Sequence, residues 1–211
     1  MKKILFSITL LSYAIVITAQ DDQKDPNEIK TILANGFKSG GYGGISVGYA
    51  SVDKRDAVVM GASGAWIINH SLALGMSGTA FISDNKFDNN LQRNANLTGG
   101  YGGLLVEPIL FAKSPIHVTI PIVIGAGGIA YGRQRMYTNN FDYNNDNYSV
   151  EDASPYAFVK PGFELELNMI SFMRISLGAY YMQTSKINLM NTSKSALNGL
   201  SGAITFKFGV F

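Results

Sequence analysis

From Gly36 to Phe211 the chain alternates between two kinds of side chain with a period of two, and it does so almost without interruption. Residues 159–169, VKPGFELELNM, show it most sharply. Val159, Pro161, Phe163, Leu165, Leu167 and Met169 fall on one side, and Lys160, Gly162, Glu164, Glu166 and Asn168 on the other. Period two is the signature of a β-strand with two unlike faces. A soluble protein would turn the apolar face to a core and the charges to water. A barrel in a membrane does the inverse. The turns and the charges decide between them.

Eight strands are expected: Gly36–Ala50, Asp56–Ile68, Ser71–Ser83, Ala95–Phe111, Ile116–Gly132, Pro155–Met169, Ser171–Thr184 and Leu197–Phe211. Their connections alternate in length. INHS, AKSP and NMIS are tight, whereas the segments around 84–94, 133–153 and 185–196 are long and polar. Only Ser51–Arg55 is short where length is expected. Short turns at one end, long loops at the other and an even strand count describe an all-β, eight-stranded, antiparallel up-and-down transmembrane barrel.

Other strands repeat the two-faced pattern. Leu72, Leu74, Met76, Gly78, Ala80 and Ile82 share a face against Ala73, Gly75, Ser77 and Thr79. Ile116, Val118, Ile120, Ile122 and Ile124 oppose His117, Thr119 and Pro121, and Ile204, Phe206, Phe208 and Val210 oppose Ala203, Thr205, Lys207 and Gly209. Within strands the charges are few: Glu107, Lys160, Glu164, Glu166, Arg174 and Lys207, with Lys38 near an end. Facing lipid, each would cost up to several kcal/mol at the bilayer midplane. Facing inward they neutralise one another, and an eight-stranded barrel is just narrow enough for side chains to fill. The expectation is a lumenal ion-pair network of those six residues, with Phe163, Leu165 and Leu167 on lipid. Gly-rich stretches such as SGGYGGISVGY leave room for side chains reaching across the lumen. Trp66, Tyr49, Phe81, Phe111, Tyr131, Tyr180 and Tyr181 lie near strand ends, where interfacial girdles are expected, although aromatics are also common in strands generally.

The N-terminus carries a different signal. Lys2 and Lys3 precede an apolar run, Ile4–Ile17, and Thr18-Ala19 offers a cleavage point, so residues 1–19 read as a secretory signal peptide. The run is short of the roughly 20 residues of a spanning helix. Residues 20–35 are a polar periplasmic segment in which DPNEIKTILAN forms either a short helix, capped by Asp25 with Pro26 at its first turn, or an irregular lead-in. The chain has 17 basic and 15 acidic side chains, and loss of Lys2 and Lys3 would leave them equal. A balanced chain lacks the basic face of a nucleic-acid binder. With no cysteine there is no disulfide, thiolate site or lipidated +1 residue.

With the signal peptide, the eight alternating strands and terminal Phe211, the chain over Gly36–Phe211 resembles the small outer-membrane β-barrel proteins of the OmpA membrane domain and OmpX class. GGYGG, GAWIINHS, GGYGGLLVE, PGFELELN and FKFGVF are similar to members of that class which bring no activity with them. The resemblance implies residence in a Gram-negative outer membrane, and assembly by the barrel-assembly machinery with Phe211 as recognition mark. The usual apolar alternation in step with the last residue is missing here. Gly209 and Lys207 keep step with Phe211, while Ile204, Phe206, Phe208 and Val210 do not.

Chemistry-bearing constellations are sparse. Some small barrels are lipid A deacylases or palmitoyltransferases that use Ser and His near the outer leaflet. Here His70 and His117, with Ser71 and Ser114 nearby, map to the short-turn end, and no catalytic residue is assigned. Glu164 and Glu166 on one face suggest paired acid and base, but an ion-pair network accounts for them better. Asp142, Asn144 and Asp146 have the odd spacing of a calcium loop, yet Asn147 stands where glycine is needed and Ala153 where glutamate is, so no metal site follows. GGYGG and GAGG precede no helix and are not phosphate loops. No cofactor is implied.

The function expected is a structural or interaction barrel, with the lipid bilayer as its surroundings and an extracellular ligand at its loops. A narrow pore through the polar lumen is the alternative, and a soluble carrier with an apolar cavity is a third reading. Leu165→Arg separates the first two from the third. On a lipid face it blocks membrane assembly, seen as loss of the fast-migrating form on unheated gels, whereas in a carrier it chiefly abolishes ligand binding.

Overall fold

The structure, a computed structural model, describes residues 39–88, 93–134 and 148–211. The signal-like segment 1–19, the polar segment 20–35, Lys38 and the Asp142–Asp146 spacing lie outside the described residues. Ten strand segments follow in order: β1 (Ser39–Val52), β2 (Arg55–Ile68), β3 (Leu72–Ser83), β4 (Lys86–Asp88), β5 (Arg93–Leu110), β6 (Ile116–Thr119), β7 (Ile122–Gln134), β8 (Tyr148–Ile170), β9 (Met173–Thr184) and β10 (Gly199–Val210). All pairings are antiparallel, and the ring closes where Gly41 of β1 meets Val210 of β10. β4 continues the line of β3 beyond Ser83, and both pair with β5. β6 and β7 likewise form one stave, since both pair with β5 and with β8. The ring therefore has eight staves.

Local sequence explains the breaks and the turns. Pro121 has no amide hydrogen, so the stave is interrupted between β6 and β7. Its carbonyl still accepts from Gly162 N at 2.7 Å, and Ile120 N donates to Pro108 O at 3.0 Å, which carries the ladder across the gap. Asp53 and Lys54 have φ of 51° and 60°, and Asn69 and His70 have 47° and 54°. Asp53-Lys54 makes the two-residue hairpin turn that needs positive φ at both positions and matches strand twist, and Asn69-His70 take the same φ in the three-residue connection Asn69–Ser71 between Ile68 and Leu72. Asp and Asn tolerate that region better than most side chains, so the β1–β2 turn can be short at an end where other connections are long.

Outward and inward residues alternate along every stave as the pattern requires. Ile45, Met60, Met76, Leu104, Ile124, Phe163, Leu165, Leu177 and Ile204 all face outward and are exposed, forming a continuous apolar belt. An antiparallel ring with such a belt and charges inside is a transmembrane β-barrel. β8 begins at Tyr148, earlier than the expected Pro155, because its first residues pair with Ile129–Gln134 of β7.

The interior differs from the polar lumen that the charges alone suggest. Its half nearer the long loops is an apolar core that includes Leu97, Ile129, Tyr131, Tyr156, Phe158 and Met182. The segment between β9 and β10, expected to be an exposed loop, folds onto that core and buries Ile187, Leu189, Ala196 and Leu197. Backbone donors tie it down: Asn188 N to Ser154 Oγ (3.1 Å), Met190 N to Asp152 Oδ2 (2.8 Å) and Asp53 N to Ala196 O (2.8 Å). At the opposite mouth a smaller cluster gathers Tyr42, Ile67, Ala73 and Ile109, with Phe211 against it. Glu107, Glu164, Glu166, Arg174 and Lys207 lie between these two apolar layers, while Arg55, also buried, sits within the first of them and donates from Nη1 to Ala95 O at 2.9 Å. Of the girdle candidates, Trp66, Tyr49, Phe111 and Tyr181 are exposed, but Phe81 and Tyr131 are buried and Tyr180 bonds a lumenal carboxylate. Their strand phase points them inward.

The two apolar environments predict unequal truncation costs. Leu97→Ala, in the packed core, destabilises by about 2–5 kcal/mol. Met76→Ala, on the outer face, costs much less. Urea unfolding of the two variants in lipid vesicles measures the difference.

A lumenal charge cluster as the candidate functional site

Six staves contribute charged or hydrogen-bonding side chains to one point in the lumen. Lys207 on β10 stands directly across from Arg174 on β9. Like charges at such positions are destabilising unless each finds a carboxylate. β8 supplies them: Glu166 is paired with Ser176 of β9 on one side and with His117 of β6 on the other. Glu164, two residues earlier and so on the same face, lies opposite Thr119. Glu107 comes from β5, where it faces Ala73 of β3.

Lys207 is the centre. Its Nζ donates to Glu107 Oε1 at 2.6 Å and Glu166 Oε2 at 2.7 Å, and it lies 3.1 Å from Glu164 Oε2. The three carboxylates thus surround one ammonium, which has three donors. Each has further partners. Arg174 Nη1 donates to Glu166 Oε1 at 3.0 Å, with His117 Nε2 also 3.0 Å from that oxygen and 3.3 Å from Arg174 Nη1. Tyr42 OH donates to Glu107 Oε2 at 2.5 Å, Tyr180 OH to Glu164 Oε1 at 2.5 Å, and Thr119 Oγ1 to Glu164 Oε2 at 3.4 Å. Glu107 and Lys207 are each 2% exposed and Glu166 is 1% exposed. Charges removed from water to this degree persist only when paired and hydrogen-bonded.

Two expected members stand apart. Lys160 reaches no carboxylate among the described residues; its Nζ donates to Tyr101 OH at 2.9 Å and lies 4.6 Å from the centre of the Tyr180 ring. It is six residues from Glu166 along β8, nearer the apolar half, where aromatic rings are its neighbours. Phe211 points into the mouth, with its ring stacked 6.3 Å from that of Tyr42 and the Arg174 guanidinium 3.9 Å above it. That placement follows from its being in step with Lys207. Tyr42, His117, Thr119 and Tyr180 join the cluster although the charges alone did not identify them. Their inward phase was visible; their reach across the lumen was not.

Glycine makes one of those reaches possible. The Tyr180 ring lies flat along the wall, and a Cβ on Gly162 would sit 2.3 Å from Tyr180 Cδ1, while one on Gly178 would sit 2.5 Å from Tyr180 Oη. Any larger residue at either position displaces the ring from Glu164.

Chemically the cluster is closed. The three carboxylates have oxygens within 4.8 Å of one another, a grouping that suits a cation, but the Lys207 ammonium occupies the centre they share. Glu164 and Glu166 are bound by donors on both oxygens, which leaves neither a free face for acid–base work. His70 lies in the β2–β3 turn, and Ser71 Oγ beside it donates to Asn69 O. His117 bonds Glu166 and not a serine. A cavity of about 70 Å³ adjoins the cluster, lined by Ser46, Ser63, Ser77, Thr79, Lys160 and Glu164 among others.

No protein-family model matches the chain, and no curated protein sequence does. Three solved structures are similar in part. Neisserial surface protein A has 13% identity and a TM-score of 0.49, over 83% of this chain and 99% of its own. The N-terminal β-barrel domain of Pseudomonas aeruginosa OprF has 10% identity and a TM-score of 0.40, over 81% and 96%. Ail, the attachment invasion locus protein of Yersinia pestis, has 12% identity and a TM-score of 0.39, over 83% and 97%. The fold rests on the strand pairing itself and not on these likenesses.

Removing the central ammonium leaves three buried carboxylates facing one another. Lys207→Met therefore destabilises the barrel by about 3–5 kcal/mol, the usual cost of breaking a buried pair. Glu107→Gln in the same chain recovers part of that loss. A double-mutant cycle by urea unfolding in vesicles reads the coupling, which vanishes if the two groups do not meet.

Proposed function

We propose that the protein is a sealed scaffold barrel of a Gram-negative outer membrane, which holds its long-loop end out of the bilayer for interaction and conducts nothing. The observation that carries this reading is the filled interior. Phe211, Tyr42 and Ile67 close one mouth, the Lys207 cluster and the small cavity of about 70 Å³ beside it occupy the level beyond, and the core around Leu97, Phe158 and Ile187 closes the other end. A water-filled conduit needs a continuous polar lumen, as larger barrels have, and here the polar level is bounded by apolar layers on both sides.

On this proposal the apolar belt meets lipid, and both the short turns and the N-terminal segment face the periplasm. Because the β9–β10 segment is packed against the barrel, an extracellular ligand would meet the β4–β5 and β7–β8 hairpins. An assembly mark at Phe211 would be read before the ring closes, since in the closed barrel its ring lies against Tyr42 and Arg174.

Single-channel recording in a planar bilayer, after the unheated protein is seen to migrate faster on a gel, tests the reading. The sealed barrel gives no steps above background. Discrete steps that change with Glu164→Gln or Arg174→Gln would establish a narrow pore instead.

A further inference from the structure

Beside the charges the lumen is unevenly filled. The wall formed by β5, β8 and β9 presents Glu107, Glu164, Glu166, Arg174 and Tyr180. The facing wall, formed by β1, β2 and β3, is built there of hydroxyls and glycines. Ser46 of β1 stands across from Gly61 of β2, and Gly61 across from Thr79 of β3. One step nearer the short turns, Gly44 stands across from Ser63, and Ser63 across from Ser77. The glycines keep this wall low. A Cβ on Gly61 would sit 2.6 Å from Ser46 Oγ and 3.2 Å from Thr79 Oγ1, and one on Gly44 would sit 2.9 Å from Ser63 Oγ. The cavity of about 70 Å³ is the space between the low wall and the high one.

Polar groups border that space with bonds to spare. Among the described residues the hydroxyls of Ser46, Ser63, Ser77 and Thr79 have no hydrogen-bond partner, a state that polar groups shut off from bulk water seldom keep. Lys160 borders the same space, and its ammonium has three donors, of which one goes to Tyr101 OH. Charge points the same way. Leaving His117 aside, the carboxylates of Glu107, Glu164 and Glu166 are bonded by two cations, Lys207 and Arg174. Lys160 supplies the third positive charge, and the cavity touches both it and Glu164. With the charges balanced in this way, the cavity calls for a neutral guest that donates and accepts hydrogen bonds. A buried water needs roughly 10–15 Å³ and two to four polar partners, so the cavity has room and partners for a small cluster.

Building on the sealed interior proposed above, we propose that the cavity is a site for ordered water, trapped in the lumen, which joins Lys160 to Glu164 and both to the hydroxyl wall. The network then has six charged members, five in direct contact and the sixth linked through water. This water is a fixed part of the barrel and not a conduit. Tyr42 and Glu107 border it on one side, and Val59 and Val123, which pack in the apolar core, border it on the other.

Proton NMR of the full chain in lipid nanodiscs tests the site. Transfer of magnetisation from water to the Cε protons of Lys160 and the Cβ protons of Ser46 is followed in rotating-frame spectra, where dipolar contact and proton exchange have opposite signs. Ammonium exchange at Lys160 and Lys207 is recorded in the same samples. Trapped water predicts dipolar cross-peaks at both positions. Ser63→Val and Ser77→Val, each putting methyl groups where a hydroxyl faces the cavity, should remove most of the Lys160 cross-peak and leave Lys207 exchange slow. Absence of cross-peaks in the unmutated chain, with Lys207 still exchanging slowly, would overturn the water site and leave the sealed barrel standing. Lys160 cross-peaks unchanged in both valine variants would also overturn the site. Fast exchange at both lysines, together with conductance steps in a planar bilayer, would overturn the site and the seal alike, because the water would then belong to an open path. If one valine variant does not fold, the other and the unmutated chain decide the matter.

Discussion

One ammonium surrounded by three carboxylates organises this barrel. Lys207 joins β10 to β8 and, across the lumen, to β5. Those staves are not all neighbours in the ring, so the contact is a cross-brace that backbone ladders alone do not supply. It also sets the polarity of the fold. Charges this deeply buried demand a closed, fully partnered interior, and the apolar residues of the same strands are then left to face outward. Inside and outside are two consequences of one alternation.

The cluster also explains why the lumen is layered. An ion network resists water only if water is kept from it, and the two apolar layers do that. On one side Phe211 stacks on Tyr42 and covers Arg174. On the other, Lys160 forms a transition between the charges and the hydrophobic core, with its ammonium bound to the Tyr101 hydroxyl and set against aromatic rings. The β9–β10 segment completes the seal. Such an interior is suited to rigidity, and on the proposed reading it leaves the outer rims for interaction.

Much of this was legible in the residues. Strand phase needs only period two, and the turns announced themselves through Asn69-His70 and the Asn- and Asp-rich loops. The inward direction of Glu164, Glu166, Arg174 and Lys207 followed from the cost of charge in lipid. Other features were hidden for physical reasons. Around Ile129 and Phe158 neither face of the strand is polar, so alternation there does not separate core from lipid, and the apolar half of the lumen could not be seen. Contacts across the lumen depend on shear and on rotamers, which a linear pattern does not encode. Hence His117 and Tyr42 were inward-facing by phase yet unassigned, Tyr180 was placed with the interfacial aromatics, and Lys160 was grouped with carboxylates it does not touch among the described residues. Phe211 is a middle case: its step with Lys207 already placed it inside.

The most direct test of this account is nitrogen-15 NMR of the lysine side chains in the reconstituted protein. If Lys207 is held by Glu107, Glu164 and Glu166 inside a sealed lumen, its ammonium protons exchange slowly with water and show couplings across hydrogen bonds to at least two glutamate side chains. A Lys207 signal that exchanges as fast as those of the exposed lysines would contradict it, because the ammonium would then be open to solvent and the lumen would not be closed around it.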